Sequence, residues 1–245
     1  MRAVSSELRQ YTTGLTNEIS RGHFDEAVQL GEKALAMKEL RDEGNELLLG
    51  EVCRNMAAAS DRLGRTNAAL NYIDQAYDIH DMAVNKNSKA ETETETETLT
   101  LRERSATASY VGVFALKAYL LADGQDEEMA DKARLMTRQA EQDMAQVNQL
   151  SKEEDADQYE INMASRWSMI ESLVGDKQRG LALAGRAIRL AWQSELKQQK
   201  GLTGRDILRA RTRAALRGMA AVAVNAASRF GATRGIAEKI ALKTL

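Results

Sequence analysis

Apolar residues along this chain recur every three to four positions, and the stretches that carry the pattern are separated by short polar turns. Leu8, Tyr11, Leu15 and Ile19 share one helical face and predict a helix over about 5–20. The turn "RGHF" follows, then Phe24, Ala27, Leu30, Ala34 and Leu35 predict a second helix over about 25–39. Leu47, Leu48, Val52, Cys53, Met56 and Leu63 predict a third over about 44–63. After "LGRT", residues Ala69, Leu70, Ile73, Ala76, Tyr77 and Ile79 predict its partner over about 67–83. A third pair follows from about Leu101, carrying Tyr110, Val113, Phe114, Leu116 and Leu120, with its second helix over about 127–149. A fourth pair holds Trp167, Ile170, Leu173 and Val174, then Ala184, Ala187, Ile188 and Leu190 over about 177–192. A fifth, irregular pair comprises an Arg- and Ala-rich helix over about 204–229, the turn "FGATRG" and a short closing helix.

Between the second and third pairs the alternation "ETETETET" offers no apolar face. It predicts an exposed, disordered insertion at about 84–98. The expected layout is therefore helical repeats over 1–200, interrupted by that insertion, and a basic helical cap over 201–245.

Small residues recur at matched offsets. Gly22, Ala27 and Ala34 stand five and seven apart; so do Gly64, Ala69 and Ala76, and so do Gly175, Gly180 and Ala187. Glycine in a turn lets the backbone reverse quickly. Alanine or glycine at a crossing lets two helices approach closely. A lone hairpin cannot bury its apolar stripe, whereas stacked hairpins can. Ala133 and Ala140 repeat the seven-residue offset in the third pair.

The segments "GHFDEAVQLGEKAL", "GRTNAALNYIDQAY" and "GDKQRGLALAGRAI" resemble the turn and second helix of tetratricopeptide repeats. The resemblance covers about 20–200, with a repeat longer than the usual ~34 residues. It implies an all-α fold: a right-handed superhelical stack of about five antiparallel helical hairpins, that is, an α-solenoid. It also implies a non-enzymatic scaffold or adaptor that holds a peptide or partner helix in a concave groove lined by the first helix of each hairpin. Placed on that register, Arg9, Thr12 and Thr16 line the groove from the first hairpin, Arg54, Asn55 and Arg62 from the second, and Asn162, Ser165, Arg166 and Met169 from the fourth. Guanidinium and amide groups suit an acidic or phosphorylated protein segment, because arginine forks onto carboxylates and phosphates.

Composition agrees with a helical reading. Proline is absent, aromatics are 4% of the chain, and strong helix formers dominate. Charge divides unevenly: residues 1–160 carry 18 Lys and Arg against 31 Asp and Glu, residues 161–245 carry 16 against 5. Arg205, Arg209, Arg213 and Arg217 form one basic stripe on the C-terminal helix. The stripe keeps two alternatives open, a structural subunit of a larger assembly and an RNA- or phosphate-binding helical protein. Nucleic acid is the weaker one, since no aromatic residues interleave with the arginines to stack on bases.

Catalytic chemistry is sparse. His23 and His80 are the only histidines, Cys53 is the only cysteine and sits in a core-like slot, and no metal-ligand, phosphate-loop or nucleophile motif occurs. The expectation is no enzyme, no cofactor and no metal. A single cysteine and the lack of a long apolar run suggest a cytoplasmic protein that does not span a membrane, with the Arg/Ser-tinged N-terminus leaving organellar import open.

Overall fold

The computed structural model describes residues 4–88, 94–151, 158–193, 212, 216, 219–220, 222–227 and 234–244. Among them the regular elements are helices, and no strand occurs. In chain order they are α1 (Ser6–Arg21), α2 (Phe24–Ala36), a 3-10 turn (Lys38–Arg41), α3 (Glu46–Arg62), α4 (Thr66–Asn87), α5 (Thr94–Leu121), α6 (Glu127–Ser151), α7 (Gln158–Val174), α8 (Lys177–Gln193) and, after a helical stretch at 222–227, α9 (Arg234–Thr244).

The first two hairpins turn by the same device. Gly22 and Gly64 adopt left-handed backbone, with φ of 84° and 74°. Each lets the next residue's N–H reach back: His23 donates to Glu18 O and Arg65 to Ser60 O, both at 2.9 Å. These bonds satisfy carbonyls that a helix end would otherwise leave open. The fourth hairpin differs. Gly175 is not left-handed, and the buried Glu171 carboxylate instead accepts the N–H of Asp176 at 2.8 Å. Asp176 in turn caps α8 by accepting from Gln178 and Arg179.

From α1 to α8 each helix packs on the next in chain order, and α1, α3, α5 and α7 also touch in succession. The alanines seven apart lie in these contacts: Ala27, Ala34, Ala69, Ala76, Ala133 and Ala140 are all fully buried, as is Ala187. A Cβ on Gly180 would fall 2.9 Å from the backbone nitrogen of Ser172 and 3.0 Å from Ser168 O, so α8 rides directly on the α7 backbone. The core is continuous along the chain. Leu8, Leu15, Leu40, Val52 and Met56 fill the N-terminal part. Ile73, Val113, Leu116 and Ile170 fill the centre, and Met144, Met163 and Trp167 fill the far part.

Two expectations need correction. The second helix stops at Ala36 rather than near 39, and the 3-10 turn then tucks Leu40 into the core while Asn45 Nδ2 donates to Glu39 O at 2.9 Å. Among the described residues of the insertion expected at 84–98, all but Ser88 are helical. Val84–Asn87 complete α4, with Val84 in the core, and the Glu-Thr run from Thr94 opens α5. The threonine hydroxyls bond to carbonyls four residues back, Thr98 to Thr94 and Thr100 to Thr96. A periodic apolar face is not required where the helix is an extension of one already anchored. Residues 89–93 lie outside the described set.

Helix α5 explains why its sequence lacked a clean stripe. From Ser105 to Leu116 every residue except Tyr110 is buried, because α3, α4, α6, α7 and α9 surround it. Two of its small polar residues find partners across the interface, Ser105 Oγ donating to Ala140 O at 2.6 Å and Thr107 Oγ1 lying 3.0 Å from His80 Nδ1, while the buried Ser109 hydroxyl has none among the described residues.

The close crossing yields a paired expectation. Gly180→Ala drives a methyl group into backbone and should cost about 1–3 kcal/mol by urea unfolding. Gly185→Ala, on the open side of the same helix with nothing within 4 Å, should be neutral or stabilise by up to about 1 kcal/mol.

Candidate functional site

The odd-numbered helices share a face, and a cavity of about 590 Å³ opens on it. Its walls come from four of these helices in turn: Ile19 and Arg21 end α1, Asp61 and Arg62 end α3, Tyr110, Val113 and Phe114 sit midway along α5, and Ser165, Arg166 and Met169 midway along α7. In the α5 and α7 groups, separations of three and four residues put the side chains on one side of the helix. Thr244, the last residue of α9, closes one edge.

The floor is aromatic and apolar. Tyr110 and Phe114 are tilted against each other, ring centroids 5.9 Å apart. The Arg166 guanidinium lies 4.0 Å over the Tyr110 ring centroid, an arrangement that fixes the cation without neutralising it. Arg62 is exposed at the opposite wall. Neither arginine has an ion-pair partner among the described residues. The other charges of the lining are compensated: Lys117 pairs with Asp61 at 2.5 Å, and Glu18 with Arg21 at 2.7 Å. The cavity therefore presents two uncompensated cations over an aromatic floor.

The expected groove residues divide. Arg62 and Arg166 meet in the cavity, with Ser165 and Met169 beside them. Asn55 Nδ2 donates to Thr16 Oγ1 at 3.2 Å, joining α3 to α1 on the approach to the cavity. Arg9 and Thr12 lie further toward the start of α1, about 15 Å along the axis from Ile19 in the case of Arg9; they are not among the cavity lining. Asn162 stands one turn before Arg166 on α7 and accepts the Ser165 hydroxyl through its backbone carbonyl. Arg54 does not serve the groove. One residue away from Asn55 means a rotation of about 100°, and Arg54 turns to α5, where it pairs with Glu103 and is largely buried. The stripe residues Arg205, Arg209, Arg213 and Arg217 lie outside the described residues.

Sequence reasoning missed the α5 contribution. Tyr110, Val113 and Phe114 were placed in that helix but not on the groove, because the longer turn after α5 obscured the register. Their i, i+3, i+4 spacing marks one helical face, as the three- and four-residue separations of Ser165 and Arg166 from Met169 do on α7.

The titratable groups that could do other chemistry are held inside. Burial pushes the Cys53 thiol up to about 11 and leaves it 1% exposed. His80 is also 1% exposed, its ring against Gly50 and Thr107. Burial, helped by nearby Arg54, lowers it to about 4. Asp143 is buried beside Arg104 at 3.5 Å, and desolvation raises its carboxyl despite a hydrogen bond from Gln139. Among the described residues, no group of three His, Cys, Asp or Glu could hold a metal ion, and no helix is long and apolar enough to cross a membrane. Family models, curated proteins and solved structures were compared with the chain, and none matches.

His80 generates a pH dependence with a definite sign. The unfolded imidazole takes up a proton near 6.5 and the folded one only near 4, so protonation favours unfolding. The His80 contribution is flat above about pH 6.5 and is lost as pH falls toward 4, by on the order of 3 kcal/mol in total. Urea unfolding at several pH values should show that slope, and His80→Gln should flatten it.

Proposed function

We propose that this chain is a non-enzymatic interaction scaffold, similar to tetratricopeptide-repeat proteins, that binds an acidic or phosphorylated peptide or helix on the face of α1, α3, α5 and α7. In this reading the helix pairs form a right-handed superhelical stack and the odd-numbered helices line its concave side. The succession of contacts α1–α3, α3–α5 and α5–α7 supports that arrangement. The protein acts in the cytoplasm and requires no cofactor.

One observation carries the reading: Arg62 and Arg166 converge uncompensated on a cavity floored by Tyr110, Phe114 and Met169. The volume of about 590 Å³ suits a few side chains of a partner, within the ~300–1,000 Å³ usual for ligand pockets. A carboxylate or phosphate would gain charge-assisted hydrogen bonds from both arginines. Leucine or phenylalanine beside the acid would cover the aromatic floor. Such a site needs no proton transfer or nucleophile, in keeping with the burial of Cys53 and His80. The stripe-based alternative rests on residues outside the described set, and no observation favours it.

A peptide array of acidic, phosphorylated and neutral segments, with and without Leu or Phe, tests the reading. Acidic or phosphorylated peptides bearing an apolar residue should be retained, and retention should weaken as salt rises. The double change Arg62→Glu, Arg166→Glu should reduce affinity at least about tenfold while the chain stays folded by circular dichroism. Retention unchanged in that variant would remove the cavity from the function.

A further inference from the structure

The C-terminal helix is not placed where a continuing stack would put it. Residues 222–227 do follow the pattern: buried Asn225 donates from Nδ2 to Ser172 Oγ at 3.0 Å and to Lys177 O at 2.5 Å, so this stretch lies on α7. Helix α9 then returns to α5, an element two hairpins earlier. Its seam centres on small residues: Ala237 and Ala241 are fully buried, in one cluster with Val113, Leu116, Leu120 and Met169, and Ile240 and Leu242 pack partly buried beside them. Thr244, one further turn along, places Oγ1 3.7 Å from Met169 Sδ and borders the cavity. The opposite side, with Ile236 at 55% exposure, faces solvent.

Three physical features follow. At 11 residues α9 is too short to persist alone in water, so its order depends on this docking. Two buried alanines with only partly buried Ile240 and Leu242 beside them give close approach but modest apolar area, so the docking is weak enough to reverse. The end that reaches the cavity is the carboxyl end: exposed Lys243 of that turn faces solvent, while the terminal carbonyls, the negative pole of the helix dipole, border the cavity that holds Arg62 and Arg166.

We propose that α9 is a resident occupant of one end of the groove, and that an acidic partner competes with it. The proposal rests on the groove reading above. The partner's carboxylates take over the electrostatic role that the end of α9 fills, and its apolar residues take the place of Thr244 beside Met169. Partner binding and release of α9 are then one equilibrium, and the free chain binds more weakly than a chain whose α9 has been detached.

The test uses the full chain and a dye-labelled peptide of Glu, Asp, Leu and Phe, read by fluorescence anisotropy. Ala237→Glu with Ala241→Glu puts carboxylates into the seam and detaches α9. This variant should bind the peptide at least tenfold more tightly than the native chain. In the native chain, saturating peptide should speed amide hydrogen exchange across 234–244. A second arm avoids a destabilised helix: Thr244→Cys with Met169→Cys, joined by a short cleavable linker, holds α9 in place, while buried Cys53 stays unreactive. The linked chain should bind at least tenfold more weakly than the same chain after the linker is cut. Equal affinities in both arms would overturn the competition while leaving the groove reading standing. No binding by any form would overturn both.

Discussion

Helix α5 is enclosed over a dozen residues on every side but the cavity at Tyr110, and that enclosure depends on helices coming close together. Close approach is the constraint behind the architecture. Fully buried Ala69 and Ala76 permit it on α4, Ala133 and Ala140 on α6. On α5 itself Gly112 meets the backbone oxygen of Ala133 at a distance where a Cβ would stand 3.2 Å away. Larger side chains at those places would hold the backbones apart and open voids that the remaining residues could not fill.

An enclosed helix must also satisfy what polar groups it carries. The α5 segment includes Ser105, Thr107 and Ser109, all fully buried. Short hydroxyl side chains suit such a place because they occupy little volume and can reach neighbouring carbonyls or rings, as Ser105 does at Ala140 and Thr107 at His80, whereas Ser109 Oγ has no hydrogen-bond partner among the described residues. The same economy holds charges at the margins of the core. Arg104 lies between Asp81 and Asp143, and the Glu171 carboxylate closes the α7–α8 turn beside Arg179. Breaking any of these pairs would leave a buried charge without its partner, which costs more than the pair itself contributes.

The cavity is a consequence of the same geometry. Odd-numbered helices touch in succession, and where α1 and α3 end beside the middle of α5 and α7 the surface is left concave. The groups that face it there were selected by helical rotation alone. Arg62 lines the cavity and Asn55 reaches across to Thr16, whereas Arg54, about 100° round the helix from Asn55, is drawn to Glu103. The position of α9 adds a further element, since its small-residue seam allows a short helix to lie against α5 and to reach the cavity with its last turn.

The local code was legible in the sequence. Periodic apolar residues marked the helices, and glycine marked the turns after α1 and α3, where only a left-handed residue closes the reversal. Alanines seven apart marked the crossings. Those features are set by near neighbours, through backbone freedom and side-chain size, and so can be read from near neighbours. Tertiary contact decided the rest. It made the Glu-Thr run an extension of a buried helix, gave Arg54 to an ion pair, brought Tyr110 and Phe114 under Arg166, and returned α9 to α5. Each of these depends on which distant residue arrives alongside, and a charge, a ring or a short helix with several acceptable partners acquires one only when the whole stack is assembled.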